Sequence, residues 1–222
     1  MWSSDLNPNF SVKAGRISLS YFSLSLGIIN LHKKKYQIPK VRGTKRALSK
    51  KELKILFHSK PSTKEQEKAK DFWFFSFVSN GMNIKDILQL RNRDLIDNSF
   101  SFIRAKTAKT KKNDIQPVTV FLNDFTKYVI EKYRNKNKSP DSYLFPILSS
   151  TNDINENHRK VKNFTKFINQ HIKKLAVANG ITDQISTYWA RHSFATNAIT
   201  DGMSMEFVGE ALNHSNIKTT QT

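Results

Sequence analysis

Cysteine is absent from the 222 residues, which excludes disulfide scaffolds, thiol nucleophiles and cysteine-based metal sites and fits a reducing compartment. The six histidines are scattered along the chain, so no histidine metal cluster is expected, and no metal or other cofactor is predicted. Long apolar runs are also missing: none approaches the roughly 20 residues of a membrane span. The best stretch, residues 17–31, is rich in serine. Its flank imitates a signal peptide, yet Asp5 precedes it and no small-residue cleavage pattern follows. A soluble, intracellular protein without membrane contact is therefore expected. Acidic residues are scarce: 18 Asp and Glu face 37 Lys and Arg, a formal charge of +19.

What is present completes that picture. Hydrophobic residues make up 38% of the chain and include 16 phenylalanines, too much apolar material for a disordered basic tail. A packed core with its charge outside is expected, in one good-sized domain or one domain with an appendage. The cations are spread over the whole chain rather than along one amphipathic helix, which favours a broad face tracking a nucleic-acid backbone over a membrane-binding helix. Neutralising about 6 to 8 phosphates would give a slope of about −5 to −7 in log affinity against log salt. A plain solvated surface and a basic RNA-binding protein are the blander alternatives.

Residues 1–46 hold a Ser-rich apolar segment, the basic run Lys33-Lys34-Lys35 and a stretch with Pro39 and Gly43. They read as one helix followed by an extended linker, with a boundary near Ala47. Regular signals follow. Ser49 and Glu52 have capping-box spacing, as do Ser62 and Glu65 ahead of a long helix through Phe72, Trp73 and Phe77 that is apolar nearly all round. Asn80-Gly81 stops it, and a short helix spans about residues 84–90. The period then alternates over residues 100–105 and 118–122, with a Lys-rich stretch between: a β-hairpin with a basic tip. Helices are predicted over residues 124–133, 155–179 with Gly180 at its C′ position, 187–200 behind the cap Ser186, and 205–212 behind the cap Ser204. The fold class is α+β, mainly helical, with one small antiparallel sheet.

Three polar groupings stand where a fold alone does not require them. Tyr188, Arg191, His192 and Ala195 share one helix face, and a fixed guanidinium beside a phenol and an imidazole suits a phosphate oxygen. Arg104 and Lys106 are two apart in a strand and leave the same face; a lysine among cations has a lowered pKa and can protonate a departing alkoxide. Leu212-Asn213-His214 ends the last full helix, and Ser215 caps a short final segment, residues 217–222. Singly, each has an ordinary structural explanation: a solvated arginine, a charged hairpin tip, a helix-end histidine.

Together and in this order they resemble the tyrosine recombinases, the phage-integrase family of DNA breaking and joining enzymes. Residues 185–196, ISTYWARHSFAT, are similar to the box H-x-x-R-H-[ST]-x-A-T. Residues 211–215 with Lys218-Thr219-Thr220 are similar to L-G-H-x-x-x-x-T-T, and residues 81–90 to G-[LM]-R-x-x-[DE]-[IL]-x-x-L, while Lys106-Thr107 matches the hairpin K-T. The resemblance runs from about Ala47 to the end and is strongest to integrases of bacterial conjugative and transposable elements. It implies a catalytic domain over residues 47–222, with residues 1–46 as a remnant of the core-binding domain's last helix plus a basic linker. It further implies that Arg191 is the second phosphate-clamping arginine, that Lys106 is the general acid toward the leaving 5′ oxygen, that His214 binds the phosphate and that His192 supports the pentacoordinate geometry. The implied reaction is metal-free and ATP-free: a tyrosine attacks the scissile phosphate, leaving a 3′-phosphotyrosyl link.

Departures from the family pattern qualify these implications. Asn83 stands at the place of the first arginine; Arg104 either fills that place or is one more exposed cation. Tyr188 stands at the first position of the second box, where its phenol can bond a phosphate oxygen or position Arg191 but is not the nucleophile. The family's attacking tyrosine lies nine residues after the box histidine, the position following Thr222. The chain as given is therefore expected to bind double-stranded DNA without cutting it, and to be a monomer when free although full-length relatives tetramerise on DNA. A non-catalytic DNA-binding relative is the alternative. A cytoplasmic, nucleoid-associated bacterial protein is expected.

Overall fold

The computed structural model describes residues 47–105, 117–151, 153–182 and 184–212. Within them the chain forms α1 (Lys50–His58), α2 (Lys64–Val78) and α3 (Ile84–Gln89), a single 3₁₀ turn (Asn92–Asp94), β1 (Leu95–Ile96), β2 (Ser99–Phe102), β3 (Val118–Phe121), α4 (Asp124–Tyr133), α5 (Ile154–Ala178), α6 (Thr187–Thr200) and α7 (Met205–Ala211). The expected class, mainly helical with one small antiparallel sheet, is what forms.

Helix α2 is central because its second half has no polar face to offer water. Phe72, Trp73, Phe74, Phe75, Ser76 and Phe77 are all buried. Phe72 meets Phe145 at 5.0 Å and Phe164 of α5 at 4.9 Å, both edge-on, and Phe75 stacks on Phe100 of β2 at 6.1 Å. Removing such a ring costs about 3–5 kcal/mol. On α5 the stripe Phe164, Ile168, Ile172 and Leu175 faces inward as the 3.6 period demands, and the helix stops where Gly180 takes φ +70. Against the flank of α2, Lys132 of α4 bonds Asp71 at 2.9 Å and Glu67 at 2.5 Å, while the Tyr133 hydroxyl donates to Asp71 at 2.9 Å. Burial raises the Asp71 pKa. For Lys132 burial alone would lower the pKa, but its bonds to Glu67, Tyr128 and Asp71 outweigh that and hold it above the usual lysine value.

Several local expectations are corrected. The N-cap of α2 is Thr63, whose hydroxyl accepts from the Gln66 amide, and not Ser62 with Glu65; Gln66 reaches back to the Ser62 amide at 2.8 Å. Ser186 is the N-cap residue of α6 without a side-chain capping bond, while Asn169 of α5 accepts from the Thr187 amide at 2.7 Å. The sheet has three strands, with β1 pairing to β2 through Leu95↔Phe100; two residues are too few to show alternation. Strand β2 ends at Phe102 rather than 105, since the Ala105 amide turns to the Asp86 carboxylate at 3.0 Å and leaves the ladder. Phe100 opposite Val120 forms the sheet's buried row. No described helix is long and apolar enough to cross a membrane.

Candidate active site

The site starts at the corner where α2 ends. Asn80 and Gly81 both take positive φ, 56 and 65. The corner is tied back to α2 by the Met82 amide on the Ser76 carbonyl at 3.1 Å and by the Ser76 hydroxyl on the Met82 carbonyl at 2.5 Å. This turn places glycine directly against α6. A Cβ at Gly81 would sit 2.9 Å from the Arg191 Cα and 3.0 Å from its Cγ. A side chain here would push α6 away.

Arg191 is 8% exposed, so the solvated-face explanation of this residue fails. Its Nη1 donates to the Gly81 carbonyl at 2.9 Å and its Nη2 to the Leu212 carbonyl at the end of α7. Arg104, only partly exposed, donates from Nη1 to the same Leu212 carbonyl at 3.2 Å. Two guanidinium groups, 87 residues apart in the chain (191 − 104), thus share one acceptor. Burial and then the neighbouring Arg104 charge draw the Arg191 pKa down to about 10, still charged at neutral pH. Burial likewise lowers Arg104, against the pull of Asp86 and Tyr188.

Asp86, 5% exposed, is the counter-charge. Burial raises its pKa; the Ala105 amide, the Arg104 charge, the Asn83 side chain and the Arg191 charge oppose that rise. Asn83 is the N-cap of α3 without a side-chain capping bond, its amide being committed to Asp86. Tyr188 is 51% exposed and stands edge-on to His192 at 4.3 Å; His192 is half-buried. Arg104, Tyr188, Arg191 and His192 are therefore one neighbourhood. Lys106 and His214 lie outside the described residues, but Ala105 and Leu212, their near neighbours in sequence, are both fixed in this cluster. Among the described residues there is no group of His, Cys, Asp or Glu that could hold a metal ion.

The sequence reading missed Gly81 as a spacer and Asp86 as the hub. A signal for Asp86 existed: it stands three residues after the helix-starting Asn83, the spacing at which a side chain folds back on its own cap.

The profile of the phage integrase family matches residues 46–222. The chain belongs to the phage integrase family. Among its relatives, a tyrosine recombinase of Pseudothermotoga lettingae is 29% identical over 143 residues, covering 63% of this chain and 43% of that protein. The tyrosine recombinase XerA of Thermococcus onnurineus is 27% identical over 188 residues, covering 84% of this chain and 61% of that protein. The chain thus spans less than two thirds of the length of these relatives. In fold it is similar to a XerA recombinase crystal structure (TM-score 0.53, 19% identity, 79% of this chain and 58% of the other). It is likewise similar to the Tn1549 transposon integrase in complex with circular intermediate DNA (TM-score 0.55, 15% identity, 82% and 61%). As a member of the phage integrase family the chain is a relative of the tyrosine recombinases, and Arg191 is its buried arginine at this corner.

Proposed function

We propose that residues 47–222 are the catalytic domain of a site-specific DNA recombinase, which breaks and rejoins duplex DNA through a 3′-phosphotyrosyl intermediate. The observation that carries this reading is the convergence of Arg104 and Arg191 on the Leu212 carbonyl, beside the single carboxylate of Asp86. Two cations against one anion leave a net positive site, suited to a phosphodiester. Arg104 takes the place vacated at Asn83, since it is drawn into the cluster rather than left on the surface. Charge-assisted bonds of this kind are roughly twice as strong as neutral ones, and donors held in place before reaction stabilise the extra charge of the phosphorane at little reorganisation cost.

In the reaction so assigned, a tyrosine hydroxyl attacks phosphorus, its proton passing to water, and the bond from phosphorus to the 5′ oxygen breaks. Lys106 gives its proton to that oxygen. His214 and Arg191 hold the non-bridging oxygens with Arg104, His192 supports the pentacoordinate geometry, and Tyr188 lines the exposed rim. The returning 5′ hydroxyl reverses the step, so no external energy source is required. Double-stranded DNA is the partner, residues 1–46 represent the linker and last helix of a core-binding domain, the free chain is monomeric, assembly into tetramers occurs on DNA, and the protein works in the bacterial nucleoid.

The test uses a duplex nicked beside the scissile phosphate and the chain extended by a tyrosine after Thr222. A covalent protein–DNA adduct is expected. Duplex binding without any adduct would favour the second reading, a DNA-binding relative that regulates an intact integrase, which the neutral amide at Asn83 favours. Preference for structured RNA over duplex DNA at equal salt would overturn both.

A further inference from the structure

Helix α6 carries Arg191 on one side and holds a second, unrelated part of the chain on the other. The Leu48 amide donates to the Ser193 hydroxyl at 2.8 Å, and the Asn197 amide donates to the Leu48 carbonyl at 3.1 Å and to the Ser193 carbonyl at 2.7 Å. All three residues are buried: Leu48 1% exposed, Ser193 0%, Asn197 6%. Both backbone groups of one residue are thus taken by side chains one helical turn apart, which fixes Leu48 along the helix axis as well as sideways. Leu48 immediately precedes Ser49, the N-cap of α1. The backbone entering α1 is therefore fixed to α6 through Leu48.

The opposite side of α6 is equally constrained. Gly81 allows backbone contact at Arg191 and its carbonyl takes Arg191 Nη1 at 2.9 Å. With one side of α6 stopped by Gly81 and the other registered by Leu48, a slide of the helix has nowhere to go except into the Arg191 guanidinium. Ser193 lies two residues from Arg191 and its neighbour is His192, so a displacement at Leu48 reaches both within one turn. A buried hydrogen bond left unmade on an amide or carbonyl costs more than the bond contributes, which keeps Leu48 and α6 moving as a unit rather than separating.

We infer that Ser193 and Asn197 are positioning residues: they clasp Leu48 so that the entry into α1 sets the register of α6 and hence the placement of Arg191. The inference rests on the reading of Arg191 as a phosphate ligand.

The test uses the full 222-residue chain with three readouts: hydrogen exchange at the Leu48 amide, the NMR resonance of the Arg191 Nε–H, and affinity for a duplex oligonucleotide. Ser193→Ala removes the acceptor of the Leu48 amide. Its exchange is expected to accelerate about tenfold, the Arg191 resonance to move, and duplex affinity to fall about fivefold. Ser193→Thr keeps the hydroxyl and restores all three. Asn197→Ala serves as the second variant and moves the Arg191 resonance in the same way. Lys50→Ala breaks the neighbouring ion pair with Asp201 and leaves that resonance in place. Faster Leu48 exchange with an unmoved Arg191 resonance, or unchanged Leu48 exchange in Ser193→Ala, overturns the inference. Should both alanine variants fail to fold, the unmodified chain decides: duplex DNA slows Leu48 exchange if the coupling exists and leaves it unchanged if it does not. Absence of duplex binding in the unmodified chain defeats the DNA reading alone, because the Arg191 resonance still decides the clasp.

Discussion

Two buried aspartates in this molecule keep opposite company. Asp71 shares Lys132 with Glu67 and takes a bond from Tyr133, so two carboxylates enclose one ammonium and the group is closed. Asp86 faces two guanidinium groups, Arg104 and Arg191, so two cations enclose one carboxylate and positive charge is left over. Both sites bear the cost of burying ions. Only the second has an excess of positive charge. On the proposed function, the sign of the residual charge, more than the degree of burial, separates a bolt in the framework from a receptor for an anion.

Substitutions separate the two in order of size. Lys132→Met strands Asp71 and Glu67 and is expected to lower unfolding free energy by about 3 kcal/mol, since breaking one half of a buried pair leaves an uncompensated charge. Urea unfolding reads this, and duplex affinity stays as it was. Arg191→Ala does the converse: adduct formation on a nicked duplex by the tyrosine-extended chain falls about 10²–10³-fold. An equal loss in Lys132→Met would abolish the distinction. Arg104→Ala is expected to lower adduct formation about 10–100-fold, the loss of one charge-assisted bond, with unfolding free energy changed by less than about 1 kcal/mol. Full activity there would return the place at Asn83 to an unfilled one.

The smallest effect is alkaline, and its sign differs between the two regions. The Lys132 pKa is held above the ordinary 10.5, so the folded chain keeps that proton longer than the unfolded chain does. Its contribution is whole below 10.5 and is lost as pH rises through the folded value. Arg191 is drawn from 12.5 to about 10. Here the folded chain sheds its proton first, and stability is gained as pH climbs from about 10 toward 12.5. Urea midpoints at about pH 9 and about pH 11 test both: Lys132→Met reduces the loss and Arg191→Ala removes the gain. The same response in both variants would mean that the regions do not differ electrostatically.

Much of this was legible before any coordinates. The helices over α4, α5, α6 and α7 follow from apolar spacing and from stops such as Gly180 and Asp201-Gly202, because those signals are local. The family boxes marked Arg191, His192 and Tyr188 by position. What the sequence could not convey is where backbone groups end up. The Leu212 carbonyl that gathers two arginines, the Gly81 corner against α6 and the Ala105 amide on Asp86 are long-range meetings with no periodic trace. Arg104 was left between two roles for the same reason, and only its shared acceptor with Arg191 favours one of them. The Thr63 cap was misread by one residue because Ser62 and Thr63 offer the same hydroxyl chemistry side by side.

The indole of Trp73 has a consequence of a different kind. Fully buried in α2, it donates from Nε1 to the Ser186 carbonyl at 2.9 Å, the residue on which α6 begins. Trp189, in the first turn of α6, is 8% exposed. Any loosening of that helix start wets both rings, so in a Trp2→Phe chain, which leaves only these two of the three tryptophans, the tryptophan fluorescence serves as a built-in optical gauge of whether α6 is seated, readable without a label.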